Sequence, residues 1–294
     1  MNFIKKTKIV ATLGPSTSSE EIIKKMILAG VNVFRINFSH ANYDEIKESI
    51  QLIRKVDKAL YTNTAILGDL QGPKLRIGKI KENTEIKEGD KIIFSTDSSF
   101  EGDNNRVYMN YQNFPKDVSV GEKILLDDGK LIFEVLSSNK VNEVKARVIQ
   151  GGHLKSNKGV NLPNTKISLP ALTRKDIKDA EFIFSQDIDW IALSFVRQSQ
   201  DIIDLQDLMK RHIDQKIPII SKIEKPEALE NIDKIIAYSD GIMVARGDLG
   251  VEVPAQEVPL LQKQLVHLAK KARIPIIIAT QMMETMIDSL TPTR

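Results

Sequence analysis

The stretch PIISKIEKPEALENID, residues 218 to 233, starts as an apolar run suited to a deep interior and then carries charge at Lys222 and Glu224. Side chains of a strand alternate with a period of two, so Ile219, Ser221 and Ile223 share one face while Lys222 and Glu224 share the other. Both charges arrive at the strand's carboxyl end, the rim where parallel α/β proteins place their ligands. A plain ion pair at a strand exit would account for an isolated Lys-x-Glu. The neighbouring segments shift the reading towards chemistry.

Outward from this stretch, short β-branched runs alternate with amphipathic helical segments. TKIVATLG is followed by SSEEIIKKMILAG, VNVFRINFSH by YDEIKESIQLIRKVDKAL, and TNTAILGDL completes the first series. The pattern resumes later, predicting strands over 189–196, 217–224, 241–246 and 274–280 and helices over 201–212, 227–237 and 256–271. Such alternation argues for βαβ units and a parallel sheet, and near-continuous apolar runs such as GIMVA fit strands covered on both faces. Seven strands are legible, and no eighth precedes the final DSLTPTR. Between residues 71 and 169 the texture changes, with turn signals EGD, DDG and QGG separating KIIFSTD, KILLDDGKLIFEVLSS and NEVKARVIQGG. An all-β lid is expected there, inserted after the third strand into a barrel domain made of 1–70 and 170–294.

Composition narrows the function classes. Forty-two basic against 39 acidic residues give a net charge of +3, which does not point to a nucleic-acid partner. The absence of cysteine excludes disulfides and thiolate metal sites and fits a cytoplasmic protein. The opening MNFIKKTKIVATLGPS stops at Gly14 and Pro15, too soon for a signal peptide. No run approaches the roughly 18 apolar residues of a membrane span.

Other strand ends repeat the device. GIMVARGDLG puts Asp248 in a glycine-flanked turn past the sixth strand, and with Glu224 it offers two oxygen ligands to a hard cation, magnesium or manganese. NVFRINFSH places Arg35, Asn37 and Ser39 on one face with His40 at the rim. The third strand ends at Asp69 and Leu70, and LQGPKLRIG adds Lys74 and Arg76 over the proposed cleft. A cation pair of ligands, several basic groups and a lysine on a strand are equipment for phosphoryl transfer. No GxGxxG follows a strand and no GxxxxGK[ST] loop is present, so neither hydride transfer nor a P-loop is supported.

IPIISKIEKPEAL resembles the active-site signature of the pyruvate kinase family, and TKIVATLGPS, FRINFSH, DLQGPKLRIG, KGVNLP, MVARGDLGVE and IIATQMMETMI resemble that family's blocks in the family's order. The resemblance implies an α/β fold of the (β/α)8 TIM-barrel type, here truncated after the seventh strand, with the all-β lid inserted after the third. It also implies transfer of the phosphoryl group of phosphoenolpyruvate to ADP, giving pyruvate and ATP in glycolysis, by a protein that is a homotetramer at full length. Carried over by position, Lys222 would stabilise the phosphoryl group in flight, Arg35 would bind it, and Glu224 and Asp248 would hold Mg2+ or Mn2+. Gly247 and Thr280 would meet the substrate's carboxylate region, while Asn37, His40, Arg76 and Lys158 would approach the nucleotide phosphates. Asp128 in the DDG turn is expected to act with them, Asp127 being the other candidate. Many members carry an acid where Lys74 stands and bind potassium through positions matching Asn37, Ser39, Asp69 and Leu70; the Lys74 ammonium implies a potassium-independent variant. The alternative is a non-catalytic fragment that keeps phosphate and metal binding.

Overall fold

The computed structural model describes residues 5–40, 42–97, 100–280 and 282–291, and of His40 only the backbone. The chain opens with β1 (Val10–Thr12), α1 (Glu20–Leu28), β2 (Val33–Asn37), α2 (Tyr43–Leu60) and β3 (Ala65–Asp69). The insert follows, with β4 (Glu85–Ile86), β5 (Lys91–Ser95), β6 (Arg106–Tyr108), α3 (Phe114–Asp117), β7 (Lys123–Leu126), β8 (Leu131–Ser138), β9 (Glu143–Gln150), β10 (Gly152–His153) and β11 (Val160–Asn161). The alternation then returns through α4 (Arg174–Phe184), β12 (Trp190–Leu193), α5 (Ser199–Lys210), β13 (Ile219–Ile223), α6 (Pro226–Glu230) and α7 (Ile232–Tyr238). It ends with β14 (Gly241–Ala245), α8 (Arg246–Glu252), α9 (Val258–Ala272) and β15 (Ile276–Ala279).

Seven strands form one parallel sheet in the order β1-β2-β3-β12-β13-β14-β15, so the insert interrupts the chain between β3 and β12 without interrupting the sheet. Its own strands form a six-stranded sheet, β11-β7-β8-β9-β5-β6, and a two-stranded pair, β10-β4. The strand period sorts the parallel sheet's side chains into two layers. Phe34, Ile36, Ile66, Ile191, Ile219, Ile223, Ile242 and Val244 pack against the helices. Leu67, Ala192, Ile220 and Met243 form a smaller cluster on the opposite face. The insert has a separate core built around Phe94, Phe114 and Phe133, with edge-on ring contacts.

Local chemistry shortens several expected elements. β2 stops at Asn37, whose Oδ1 accepts the Ser39 N–H at 3.1 Å and turns the chain into a 3-10 segment, Phe38–His40. Ser39 therefore does not share the strand face of Arg35 and Asn37, contrary to the alternation read from sequence. The single helix expected over 227–237 is divided at Asn231, whose amide donates at 3.0 Å both to Arg197 O and to Glu227 O. β12 ends at Leu193 because Phe195 enters the left-handed region, φ 55°. Asp248 lies in the first turn of α8, where the sequence suggested a glycine turn.

At the amino end of the sheet, Arg54 of α2 donates at 2.7 Å to Asp187, to Asp189 and to Thr64 O, while Asp189 accepts the Ile66 N–H at 2.7 Å. One guanidinium thus pins a helix to the starts of β3 and β12. Replacing Arg54 with Met should lower stability by about 1–3 kcal/mol, since charged hydrogen bonds are lost and half-buried acceptors stranded; urea unfolding of both chains measures it.

Candidate active site

At the carboxyl end of the parallel sheet, polar side chains stand directly above the small apolar cluster of Leu67, Ala192, Ile220 and Met243. Lys222 shares the face of Ile220, so its ammonium rises from the interior between two neighbouring strands. Its Nζ donates to Ser194 Oγ at 2.7 Å and lies 3.0 Å from Glu224 Oε1 and 3.3 Å from Asp69 Oδ1. Asp69 and Glu224 are each only 1% exposed. Arg35 closes the other side of Asp69, with Nε and Nη2 both 2.6 Å from Oδ2 and Nη1 donating to Thr12 Oγ1 at 3.1 Å.

Glu224 also accepts the Phe195 N–H at 2.7 Å. That contact explains the left-handed Phe195, a conformation bulky residues rarely hold unless their surroundings impose it. Gly72 is required beside it: its φ is +71°, and a Cβ there would fall 2.7 Å from Phe195 Cδ2.

Burial opposes the charge on Lys222, but Glu224 and Asp69 outweigh it and hold its pKa above the ordinary lysine value. Burial pushes the Glu224 carboxyl up; Lys222 pulls it down and the nearby Asp248 adds to the rise. The balance is a lysine held as ammonium, with Asp69 shared between it and Arg35, beside two neighbouring acids, Glu224 and Asp248, that favour uptake of further positive charge.

That excess fits a divalent cation. Asp69 Oδ1 is taken up by the Lys222 ammonium at 3.3 Å, and Glu224 and Asp248 are left as the hard oxygen donors. Among the described residues no group of three or more histidines or acids is placed to hold a metal ion.

A groove of about 820 Å3 opens beside this layer, lined by Gly247, Asp248, Thr280 and Arg246 of the sheet domain and by Asp128 of the insert. Gly247 N donates to Thr280 Oγ1 at 3.1 Å. Thr280 itself has φ 70°, a strained value for a β-branched residue, and Arg246 holds that exit by donating to Ala279 O and Thr280 O. Asp127 points elsewhere, paired with Lys158 at 2.8 Å and Lys130 at 3.3 Å. Of the two acids in the DDG turn, Asp128 is the one lining the groove.

The remaining predicted residues are not all brought together. Asn37 is exposed, Ser39 lies in the 3-10 segment, and the His40 side chain lies outside the described residues. Leu70 is buried in the helix-side core, its carbonyl accepting from Ser194 Oγ at 2.7 Å. Arg76 donates to Asn157 O at 2.8 Å at the insert's edge, near Lys158. Lys74 lines a cavity of about 60 Å3 between insert and sheet, together with Asp128 and Asp248. Sequence reading missed Ser194, Phe195 and Arg246; the run SFVR after an apolar strand was the only signal for the first two.

A family model described as the pyruvate kinase barrel domain matches residues 4–294. The chain belongs to the pyruvate kinase family. It is 41% identical to a pyruvate kinase of Clostridium perfringens over 99% of this chain and 61% of that protein. It is 45% identical to one of Staphylococcus saprophyticus over 96% of this chain and 48% of that protein. A crystal structure of a pyruvate kinase from Cryptosporidium parvum superposes with a TM-score of 0.93 at 35% identity, over 98% of this chain and 60% of that one. The chain thus spans about half to three-fifths of the length of these pyruvate kinase relatives.

Lys158 holds the Asp127 carboxyl below the usual aspartate range, with Lys130 assisting against burial. A lowered folded pKa means stability that is present above the unfolded aspartate value and is lost as pH falls through the folded one. Asp127→Asn should therefore weaken the insert by on the order of 1 kcal/mol at neutral pH and flatten its acid unfolding limb below about pH 4. Hydrogen exchange in 123–150 of both chains, followed as pH is lowered, reads the difference.

Proposed function

We propose that this chain carries the centre that transfers the phosphoryl group of phosphoenolpyruvate to ADP, giving pyruvate and ATP. The observation that carries the reading is the buried Lys222 ammonium held between Asp69 and Glu224 at the open end of the sheet. The bond from phosphorus to the enol oxygen breaks, a bond to an ADP β-phosphate oxygen forms, and the enolate left behind takes up a proton to become pyruvate. Little covalent work falls to the protein in such a transfer; charge neutralisation and positioning do most of it.

In this reading Lys222 follows the migrating group as a compact charge, and Arg35, fixed by Asp69, binds it at the start. Glu224 and Asp248 would hold Mg2+ or Mn2+, which neutralises phosphate charge when bound. Gly247 and Thr280 orient the carboxylate region of the substrate. Asn37, His40, Arg76 and Lys158 approach the nucleotide, Lys158 leaving Asp127 to do so, and Asp128 reaches in from residues 71–169 acting as a lid. The Lys74 ammonium would supply the positive charge that other members of the family take from a monovalent cation bound at positions matching Asn37, Ser39, Asp69 and Leu70. We expect the whole protein to work as a cytoplasmic homotetramer, its TIM-type barrel of 1–70 and 170–294 closed by an eighth strand between β15 and β1.

Among the described residues the edges β1 and β15 each have one strand neighbour, and Met282, Met283, Ile287 and Leu290 beyond β15 are exposed at 60%, 60%, 73% and 98%. Those features favour a second reading, in which this chain alone keeps phosphate and metal binding without turnover.

Pyruvate formation by the purified chain with phosphoenolpyruvate, ADP and magnesium tests both readings, with a version extended to the relatives' length as the reference. Turnover should not require potassium in whichever chain is active; a strong potassium requirement would refute the role of Lys74. Lys222→Met should reduce kcat by at least about a hundredfold while changing KM for phosphoenolpyruvate far less, because its contact strengthens in the transition state. Equal losses in kcat and binding, in a variant with an unchanged circular-dichroism spectrum, would sink the assignment.

A further inference from the structure

A second buried ion pair lies beside the charged layer, and through Asn161 it is joined to the insert. Lys225 Nζ is 2.6 Å from Glu252 Oε1, and the two side chains are 6% and 1% exposed. The same Oε1 accepts from Asn161 Nδ2 at 2.7 Å, and Asn161 is the last residue of β11 in the insert. Among the described residues, Glu252 Oε2 is buried with no hydrogen-bond partner. A buried pair with one oxygen left unmatched is a poor source of stability, since desolvation consumes most of the attraction. Its geometry does better as a device for position.

The two sheet-side partners stand next to the residues read as metal ligands. Lys225 directly follows Glu224, and Glu252 closes the helix α8, whose first turn carries Asp248. A pull on Glu252 from the insert therefore acts on the same short helix that places Asp248. Lys225 ties that helix to the exit of β13. The same three residues, with Asp128 and Asp248, line the cavity of about 60 Å3 between the two units.

We propose that Asn161, Glu252 and Lys225 form a latch that couples the seating of the insert to the spacing between Glu224 and Asp248. The consequence for metal binding rests on the phosphotransfer reading; the latch itself does not. Asn161 is a positioning residue here, acting through Glu252 and touching no reacting atom.

Hydrogen exchange on the full chain tests the latch without turnover. Asn161→Ala keeps the buried Lys225–Glu252 pair and removes only the arm from the insert, so the fold is retained. Asn161→Asp places a carboxylate against Glu252 and should act more strongly. The expected result is roughly five- to tenfold faster exchange in 158–163 and in 247–253, with 65–69 unchanged, as for loss of one charge-assisted hydrogen bond. Mn2+ affinity, followed by electron paramagnetic resonance, should weaken by a similar factor. Faster exchange confined to 158–163, or unchanged Mn2+ affinity, would show that the hydrogen bond seats the insert without coupling. No change anywhere removes the latch. If the unsubstituted chain takes up no Mn2+, the metal reading of Glu224 and Asp248 fails, and exchange in 247–253 alone decides the coupling.

Discussion

Lys222 stays charged in the interior because Asp69 and Glu224 sit within 3.3 Å and 3.0 Å of it, and holding those two carboxylates in place draws in much of the surrounding structure. Asp69 needs Arg35 from β2. Glu224 needs the backbone amide of Phe195, which forces a strained turn after β12 and leaves room only for glycine at position 72. Removing any one of these partners leaves a charge in the buried layer less well compensated, so the parts depend on one another.

The parallel sheet makes this possible through its two faces. Its helix side is an extended hydrocarbon layer, and that layer supplies the burial that holds the strands in register. The opposite face is apolar only in its lower tier, Leu67, Ala192, Ile220 and Met243. Above that tier the same strands turn polar within one or two residues, so the charged groups inherit the rigidity of the core beneath them. Such rigid placement is what the proposed phosphoryl transfer would require, since electrostatic groups act there without rearranging.

Much of this was legible before any tertiary information. All seven strands of the parallel sheet follow from short β-branched runs alternating with helical segments, the interruption after the third from its turn residues, and the facing of Lys222 and Glu224 from the strand period of two. The errors occur where a side chain captures backbone groups. Asn37 ends β2 and removes Ser39 from its face, and Asn231 breaks the helix between α6 and α7. Periodicity does not report such captures, because Asn in a helical or strand pattern looks like any other polar residue. Ser194 and Phe195 escaped notice for a related reason: neither is a type that marks a site on its own.

The amino-acid sequence by itself determined the order of the elements, the face on which each charge falls and the family to which the chain belongs, because these depend on local period and on residues close together along the chain. The tertiary structure decided the rest. It assigned Asp127 to Lys158 and left Asp128 lining the groove, and it brought Asn161 against Glu252 across 91 positions of sequence. Those choices rest on distances of a few ångströms between distant segments, set by how two hydrophobic cores settle against each other, and no local pattern encodes that settling.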